Sequence, residues 1–427
     1  MLRKEEILWR RNVDLRQQFL KQNKANRQRK TQSHQNQTSY QTCQNSNRQK
    51  SSSGTKRIIV RERSPDVLCG LEEIDFDPDF RLFTRSGKMQ RLGLDIGTKN
   101  IVLAYTTDDK KKIRHEVNGF IKIPKGDGFT KQLLVNSGVA YVENENEFIA
   151  LGKKAEELSY AFNKTLERPM VDGVISGKTE EAMQIMAIII RAIIGKLEDD
   201  AVLYYCVPSD ALNSKTNVAF HGKVVKMMID DFEGGKITSF PINEARAIVI
   251  GGVEDKTAIG ISFGAGMVNV CYCLYGIEVF SFSIIGSGDR IDIDSAVRFG
   301  YDPANPGGSY KETPTSICKR KEKMSLKECP EDMVGKTIWI NYGIMIENVV
   351  KGIIDGFKNN EEKARIDKPI PIVIAGGTAS PDGFVEYFRE VVGKLNIPFD
   401  IGDISMAEKP LYSVAEGCLV ASEMHEC

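Results

Sequence analysis

Two glycine-rich turns constrain the fold of this chain most: Leu92-Gly-Leu-Asp-Ile-Gly-Thr-Lys99 and Ile259-Gly-Ile-Ser-Phe-Gly-Ala-Gly-Met267. In each, an apolar β-forming run is broken by glycines and then resumes, as Ile101-Val-Leu-Ala-Tyr105 and as Val268-Asn-Val-Cys-Tyr272. That pattern predicts a strand, a tight turn and a returning strand. Glycine lets the backbone approach a ligand closely, and successive N–H groups in such a turn make a concavity suited to anions. One hairpin of this kind says little. Two of them predict a duplicated architecture that clamps a polyphosphate between its halves.

The rest of the chain alternates β-rich and helical runs. Strands are predicted at Leu92–Leu94, Ile101–Tyr105, Val139–Val142, Val202–Val207, Ala258–Ser262, Val268–Leu274 and Ile372–Ala375. Helices are predicted at Glu180–Gly195, Asn243–Gly251, Ile338–Asn359, Phe384–Leu395 and Ser413–Met424. Hairpins followed by helical crossovers, in both halves, place the fold in the α/β class, with mixed sheets flanked by helices. A chain of 427 residues with 41% hydrophobic content can fill two such cores.

The formal net charge of zero conceals an asymmetry. Residues 1–57 carry fourteen Lys and Arg against three acids, or +11, so the remainder has 44 bases and 55 acids, or −11. Residues 21–56 are rich in Gln, Asn, Ser, Thr and Lys and are read as disordered, because they bury too little to offset the entropy of ordering. Before them, Glu5 to Gln22 places Leu8, Leu15 and Phe19 on one face of an amphipathic helix. A membrane-surface role, a protein-binding role and a mere extension ahead of Met89 all fit that segment. Residues 58–90 read as a linker or arm.

None of the nine cysteines forms a CxxC pair, and Cys271 and Cys273 share one strand face. They are read as free core thiols of a cytoplasmic protein. No secretory signal is evident, and the most apolar run, Ala182 to Ile194, is too short to span a bilayer and contains Arg191. The four histidines, none near a motif, argue against zinc or His-based catalysis.

The motifs resemble those of the actin-like ATPase superfamily, and most closely its prokaryotic MreB- and MamK-like members. Asp95-Ile-Gly-Thr98 is similar to the first phosphate loop and Gly264-Ala-Gly266 to the second. Ile372-Val-Ile-Ala-Gly-Gly-Thr378 resembles the strand and Gly-Gly turn that lie against the adenosine. Arg168-Pro-Met-Val-Asp-Gly-Val-Ile175, Cys206-Val-Pro-Ser209 and Ile242-Asn-Glu-Ala-Arg-Ala247 resemble segments of MreB, and the pieces keep family order over residues 91–423. The resemblance implies a two-domain actin-like fold with ATP and Mg²⁺ in the cleft between the halves. It divides the chain into residues 91–253, residues 254–412, and a helix at 413–427 that returns to the first domain.

By the same resemblance Asp95 holds the hydrated Mg²⁺, while Gly97, Thr98 and Lys99 face the phosphates across from Ser262, Gly264, Ala265 and Gly266. Lys321 and Ser325, in Lys-Glu-Lys-Met-Ser, line the adenosine together with Gly376, Gly377 and Thr378. Glu244 stands where MreB-like filaments have the glutamate that orients or deprotonates the attacking water. From the residues alone, Glu244 equally suits the first turn of a helix, and Asp95 suits a turn that caps itself. Likewise Lys319, Arg320, Lys321 and Lys323 suit a solvated basic face. The main departure is Ser262, where the family has an acid, with Met267 in place of a threonine. Serine brings no charge to a divalent cation, so metal affinity and turnover are expected to be low.

The function these residues imply is that of a bacterial or archaeal cytoskeletal protein whose filaments are regulated by ATP binding and slow hydrolysis. A non-hydrolysing nucleotide-binding scaffold and a small-molecule kinase of the same superfamily are the alternatives. The basic tail adds an anionic membrane surface or nucleic acid as a partner beside self-assembly. Deleting residues 1–57 is expected to leave nucleotide binding intact and to abolish salt-sensitive binding to anionic vesicles or DNA. Vesicle co-sedimentation and DNA mobility at low and high salt check this. Full-length protein that binds neither surface at low salt overturns it.

Overall fold

The computed structural model describes residues 90–425 except 108–109, 127, 145, 163, 177–179, 196, 198–200, 216, 231–236 and 365–367. The expectations for the tail and arm fall on residues 1–89, outside the described residues. The two glycine hairpins form as predicted. β1 (Arg91–Ile96) and β2 (Asn100–Thr107) enclose a three-residue turn, and β3 (Lys110–Val117) extends the meander. There follow β4 (Phe120–Pro124), α1 (Gly128–Ser137), β5 (Tyr141–Glu143), β6 (Glu147–Leu151) and α2 (Gly152–Ala161). Next come the short hairpin β7 (Met170–Val171) and β8 (Val174–Ile175), α3 (Glu180–Ile194), β9 (Ala201–Val207), α4 (Val218–Asp230), β10 (Ile237–Asn243) and α5 (Glu244–Gly252).

The second half begins with β11 (Ala258–Phe263) and β12 (Met267–Leu274), again six and eight residues around a three-residue turn. It continues through β13 (Ile277–Ile285), α6 (Gly288–Arg298), α7 (Pro314–Lys321), α8 (Met333–Asn359) and α9 (Glu361–Ala364). β14 (Ile370–Ala375), α10 (Phe384–Val392), β15 (Ile401–Met406) and α11 (Ser413–Glu423) close the chain.

The sheets repeat one topology. The first runs β10-β9-β1-β2-β3 and the second β13-β12-β11-β14-β15. Each central strand, β1 or β11, is antiparallel to its hairpin partner on one side and parallel to a later strand, β9 or β14, on the other. This is the duplicated mixed sheet flanked by helices that the sequence implied. Each sheet has its own apolar core, one including Leu94, Leu103, Ile189 and Tyr205 and the other including Ile261, Phe263, Ile346 and Phe388. The run at Ala182 to Ile194 is a buried helix, and among the described residues no helix is long and apolar enough to cross a membrane.

Sequence boundaries shift in two places for local reasons. The strand expected at Val139–Val142 begins only at Tyr141, because the backbone of Gly138 and Val139 is bonded back to the end of α1. The helix expected to reach Leu395 stops at Val392, ahead of Gly393. The thiols also divide. Cys206, Cys271, Cys273 and Cys418 are buried, but Cys329 is exposed beyond α7, so it is no core thiol.

Four glycines set the separation of the two sheets. A Cβ at Gly93 of β1 would lie 2.2 Å from Ala415 O of α11, and one at Gly260 of β11 would lie 2.3 Å from Ala245 O of α5. The helices themselves cross at glycines: a Cβ at Gly417 would fall 1.9 Å from Ala247 O, and one at Gly251 would fall 2.8 Å from the Gly417 Cα. Strand, helix, helix and strand are therefore stacked backbone to backbone. Gly417→Ala should destabilise the protein by about 1–3 kcal/mol through overpacking, despite alanine's better helix propensity. Gly222→Ala, in α4 with nothing near the added carbon, should instead stabilise it by about 0.5–1 kcal/mol. Urea unfolding of the two variants checks the contrast, and equal effects would remove the packing argument.

Candidate functional site

The two turns carry their carbonyls on one side. In the first, Gly97 N–H closes the turn on Asn100 O (2.9 Å), while Asn118 reaches in from the end of β3. Its Nδ2 donates to Gly97 O (2.9 Å) and its main-chain N–H to Lys99 O (2.9 Å). In the second, Gly264 O accepts from Ser287 Oγ (2.6 Å) and from Thr378 Oγ1 (2.7 Å). Asp289 N–H donates to Ala265 O (2.8 Å) and Gly286 N–H to Gly266 O (3.3 Å). The carbonyl and the N–H of a trans peptide point in opposite directions. Pinning the Gly97, Gly264 and Ala265 carbonyls therefore turns the N–H groups of Thr98, Ala265 and Gly266 away from these donors.

The turns meet. A Cβ at Gly266 would lie 2.7 Å from Thr98 Oγ1 and 2.5 Å from Gly173 N. Gly173 belongs to the β7–β8 hairpin, whose central residues Asp172 (φ 53°) and Gly173 (φ 79°) are both left-handed, as a tight two-residue hairpin requires. The Met267 side chain packs on Gly173, filling the place of the family's threonine.

Behind the turns lies a polar cluster. Asp95 Oδ1 accepts from Cys206 Sγ (3.1 Å), and that sulfur accepts from Ile96 N–H (3.2 Å). Glu244 opens α5 after Asn243, whose side chain caps the helix on Arg246 N–H (3.0 Å). Both carboxylate oxygens of Glu244 are engaged, Oε1 by Ser262 Oγ (2.6 Å) and Oε2 by Asn269 Nδ2 (2.7 Å). Asn269, fully buried, accepts in turn from Ser283 Oγ and from Ser209 N–H. Burial and the neighbouring Asp95 charge push Glu244 up to about 8, with the Ser262 bond opposing. Burial pushes Asp95 up to about 6, with the Cys206 bond opposing. The serine that replaces the family acid is thus a donor to Glu244. An acid there would add a third like charge to two carboxylates already hard to ionise.

Beside the second turn Lys321, Thr378 and Gly264 gather around Gly288, where an added Cβ would lie 2.3 Å from Thr378 Oγ1 and 3.3 Å from Lys321 Nζ. Lys321 is buried, not part of a solvated face, and its ammonium holds α7 to α6 through Asp292 Oδ2 (2.7 Å) and Gly288 O (2.7 Å). Gly376 (φ 96°) lets β14 turn tightly beside β11, with an added Cβ 2.3 Å from Phe263 O, and Gly377 and Thr378 follow in a short 3₁₀ turn. Ser325 bonds elsewhere, its Oγ donating to Asp382 Oδ2 (3.2 Å). Lys99 extends from the first turn to Glu322 Oε1 (2.8 Å) at the end of α7. Arg168 likewise bridges the halves with a two-oxygen contact to Asp289 (2.8 Å), and Lys319 lies 3.9 Å over the Tyr160 ring.

Sequence reading missed Asn118 and Asn269 and gave no individual role to Ser287, Asp289 or Glu322, although the last three lie in segments that resemble family elements. Asn269 was legible in principle, since the three-residue turn fixes the register that sets it opposite Ser262. The others arrive from elements whose placement no local pattern reveals. Among the described residues no group of three or more His, Cys, Asp or Glu could hold a metal ion by itself.

No curated protein matches the sequence. Among solved structures, the MamK double helical filament aligns with 79% of this chain and 100% of its own, at 16% identity and a TM-score of 0.59. MreB5 of Spiroplasma citri bound to ADP aligns with 77% of this chain and 95% of its own, at 19% identity and a TM-score of 0.51. These likenesses establish the actin-like fold. The volactin family model matches residues 89–422, nearly the whole described region, so the chain is a member of the volactin family built on that fold.

Proposed function

We propose that this protein binds ATP between its two glycine hairpins and assembles into filaments whose stability depends on the bound nucleotide. The observation that carries the reading is the pair of facing turns with N–H groups aimed into one space, a backbone arrangement suited to a polyphosphate. The solved relatives support it: one is a double helical filament and another is bound to ADP. In this reading Thr98, Ala265 and Gly266 receive the phosphates, Gly97 shapes the first turn with its N–H spent on Asn100 O, Lys99 supplies charge, and Gly376 to Thr378 border the nucleoside. Lys321 acts by holding the wall behind them, and Ser325 lies further out.

The donor set fits Mg²⁺, a hard cation that keeps several waters and takes one or two carboxylates plus phosphate oxygens. Asp95 would hold it through water, and its charge would neutralise the phosphates and draw both raised carboxyls back to the ionised state. In this reading Glu244 orients a water for hydrolysis. A second reading, nucleotide binding without hydrolysis, is favoured by one observation. Each oxygen of Glu244 already accepts a bond inside a buried cluster, so a water would have to share it with Ser262 or Asn269.

Two outcomes are expected. Mg-ATP should stabilise the full-length protein, by about 2.7 kcal/mol at a hundredfold excess over its Kd, and no thermal shift at millimolar concentration would end the nucleotide reading. Electron microscopy with ATP, with ADP and without nucleotide then tests assembly. Glu244→Gln should lower hydrolysis by about 10²-fold or more with ATP affinity retained. Turnover unchanged by that substitution overturns the role of Glu244, and turnover absent in the parent protein favours the scaffold.

A further inference from the structure

We infer that Asn118 is a positioning residue for the first anion-binding turn, acting through the direction of one peptide; this rests on the nucleotide reading above. The side chain is fully buried just after β3 and makes its contact with the turn at the Gly97 carbonyl. Its amide NH₂ holds the Gly97 carbonyl while its own main-chain N–H holds that of Lys99. Fixing the Gly97 carbonyl turns the Thr98 N–H of the same peptide the opposite way, on a residue whose hydroxyl lies next to Gly266. Without the side-chain donor the ψ angle of Gly97 is held less firmly, since glycine accepts a wide range of backbone angles. The second turn uses the same device with different residues, Ser287 and Thr378 sharing the Gly264 carbonyl. There the load is divided between two hydroxyls, whereas the first turn depends on one amide.

A further observation separates this role from plain stabilisation. Asn118 Oδ1 is buried and has no hydrogen-bond partner among the described residues. A buried acceptor left unmade is costly, so an apolar side chain would serve packing better at this place. What the asparagine supplies, and an apolar side chain cannot, is the donor to Gly97.

The test uses the full-length protein, Asn118→Leu, Asn118→Ala and Ser287→Ala, titrated calorimetrically with ATP, pyrophosphate and adenosine. Asn118→Leu preserves bulk and removes the donor. Both Asn118 variants should lose about tenfold or more in affinity for ATP and pyrophosphate and keep their affinity for adenosine. Ser287→Ala should lose less, because Thr378 remains on the same carbonyl. If Asn118→Leu keeps the parent preference for ATP over adenosine, or weakens all three ligands equally, the positioning role is overturned while nucleotide binding stands. A parent protein that binds neither ATP nor pyrophosphate overturns both. Should the variants not fold, the parent decides: pyrophosphate must protect the Thr98 amide from hydrogen exchange, and an unprotected amide in the bound state removes the inference.

Discussion

Two helices cross backbone to backbone, and the geometry of the site depends on that contact. α5 and α11 cross where Gly251 meets Gly417, and each presses against a central strand that has a glycine at the contact, Gly260 or Gly93. Side chains at these positions would push the sheets apart by the thickness of a methyl group or more. The strands so held are the ones that end in the phosphate-type turns, and α5 itself begins with Glu244. Backbone contact leaves no rotamers to adjust, so the distance between the two turns is fixed more firmly than side-chain packing alone would fix it. The site is therefore built from the back, by main-chain contacts, and its functional side chains are added to a frame already set.

That frame brings Asp95 and Glu244 close enough to disfavour each other's charge, and Ser262 answers this. With an acid at 262 the cluster would contain three carboxyls and would need a cation to ionise any two of them. With serine it contains two, one of them bound at both oxygens by neutral donors. The substitution thus changes the order of dependence. An acidic triad is organised by its metal, whereas Glu244 here is organised by Ser262 and Asn269 before any metal arrives. A glutamate held this way is well oriented and poorly available, which suits slow chemistry or none.

What the sequence disclosed followed from contiguity. Each glycine hairpin lies in one short stretch, so its strands, its turn and its register could all be read locally. The long amphipathic helices were legible for the same reason, since their faces repeat within the window. The duplicated α/β architecture then followed from finding the hairpin twice. Contacts made across the fold were not legible. Nothing around Val117-Asn118-Gly119 says that its amide reaches Gly97, and nothing around Lys321 says that its charge is buried against Asp292. The basic run beside it has the look of a solvated face, yet Arg320 pairs with Asp332, Lys319 covers Tyr160 and Lys321 is internal. Composition could not separate these fates, because they depend on which element packs opposite.

The two edges of the interface between the halves differ in strength, and that difference bears on how a ligand could act. At the rear, glycine-to-glycine packing is short-ranged and insensitive to salt. At the front, the halves touch through Lys99–Glu322, Arg168–Asp289 and the stacking of Lys319 on Tyr160. Pairs of this exposure are individually weak and screened by salt. A polyphosphate entering between the turns would offer Lys99 a stronger partner than Glu322, at the same place and without moving the frame. The front contacts can therefore be exchanged for ligand contacts while the rear crossing persists as the fixed axis. In such a design the ion pairs at the front can yield to a ligand, while the helix crossing and the main-chain bridge between Ala211 and Ser283 keep the halves joined.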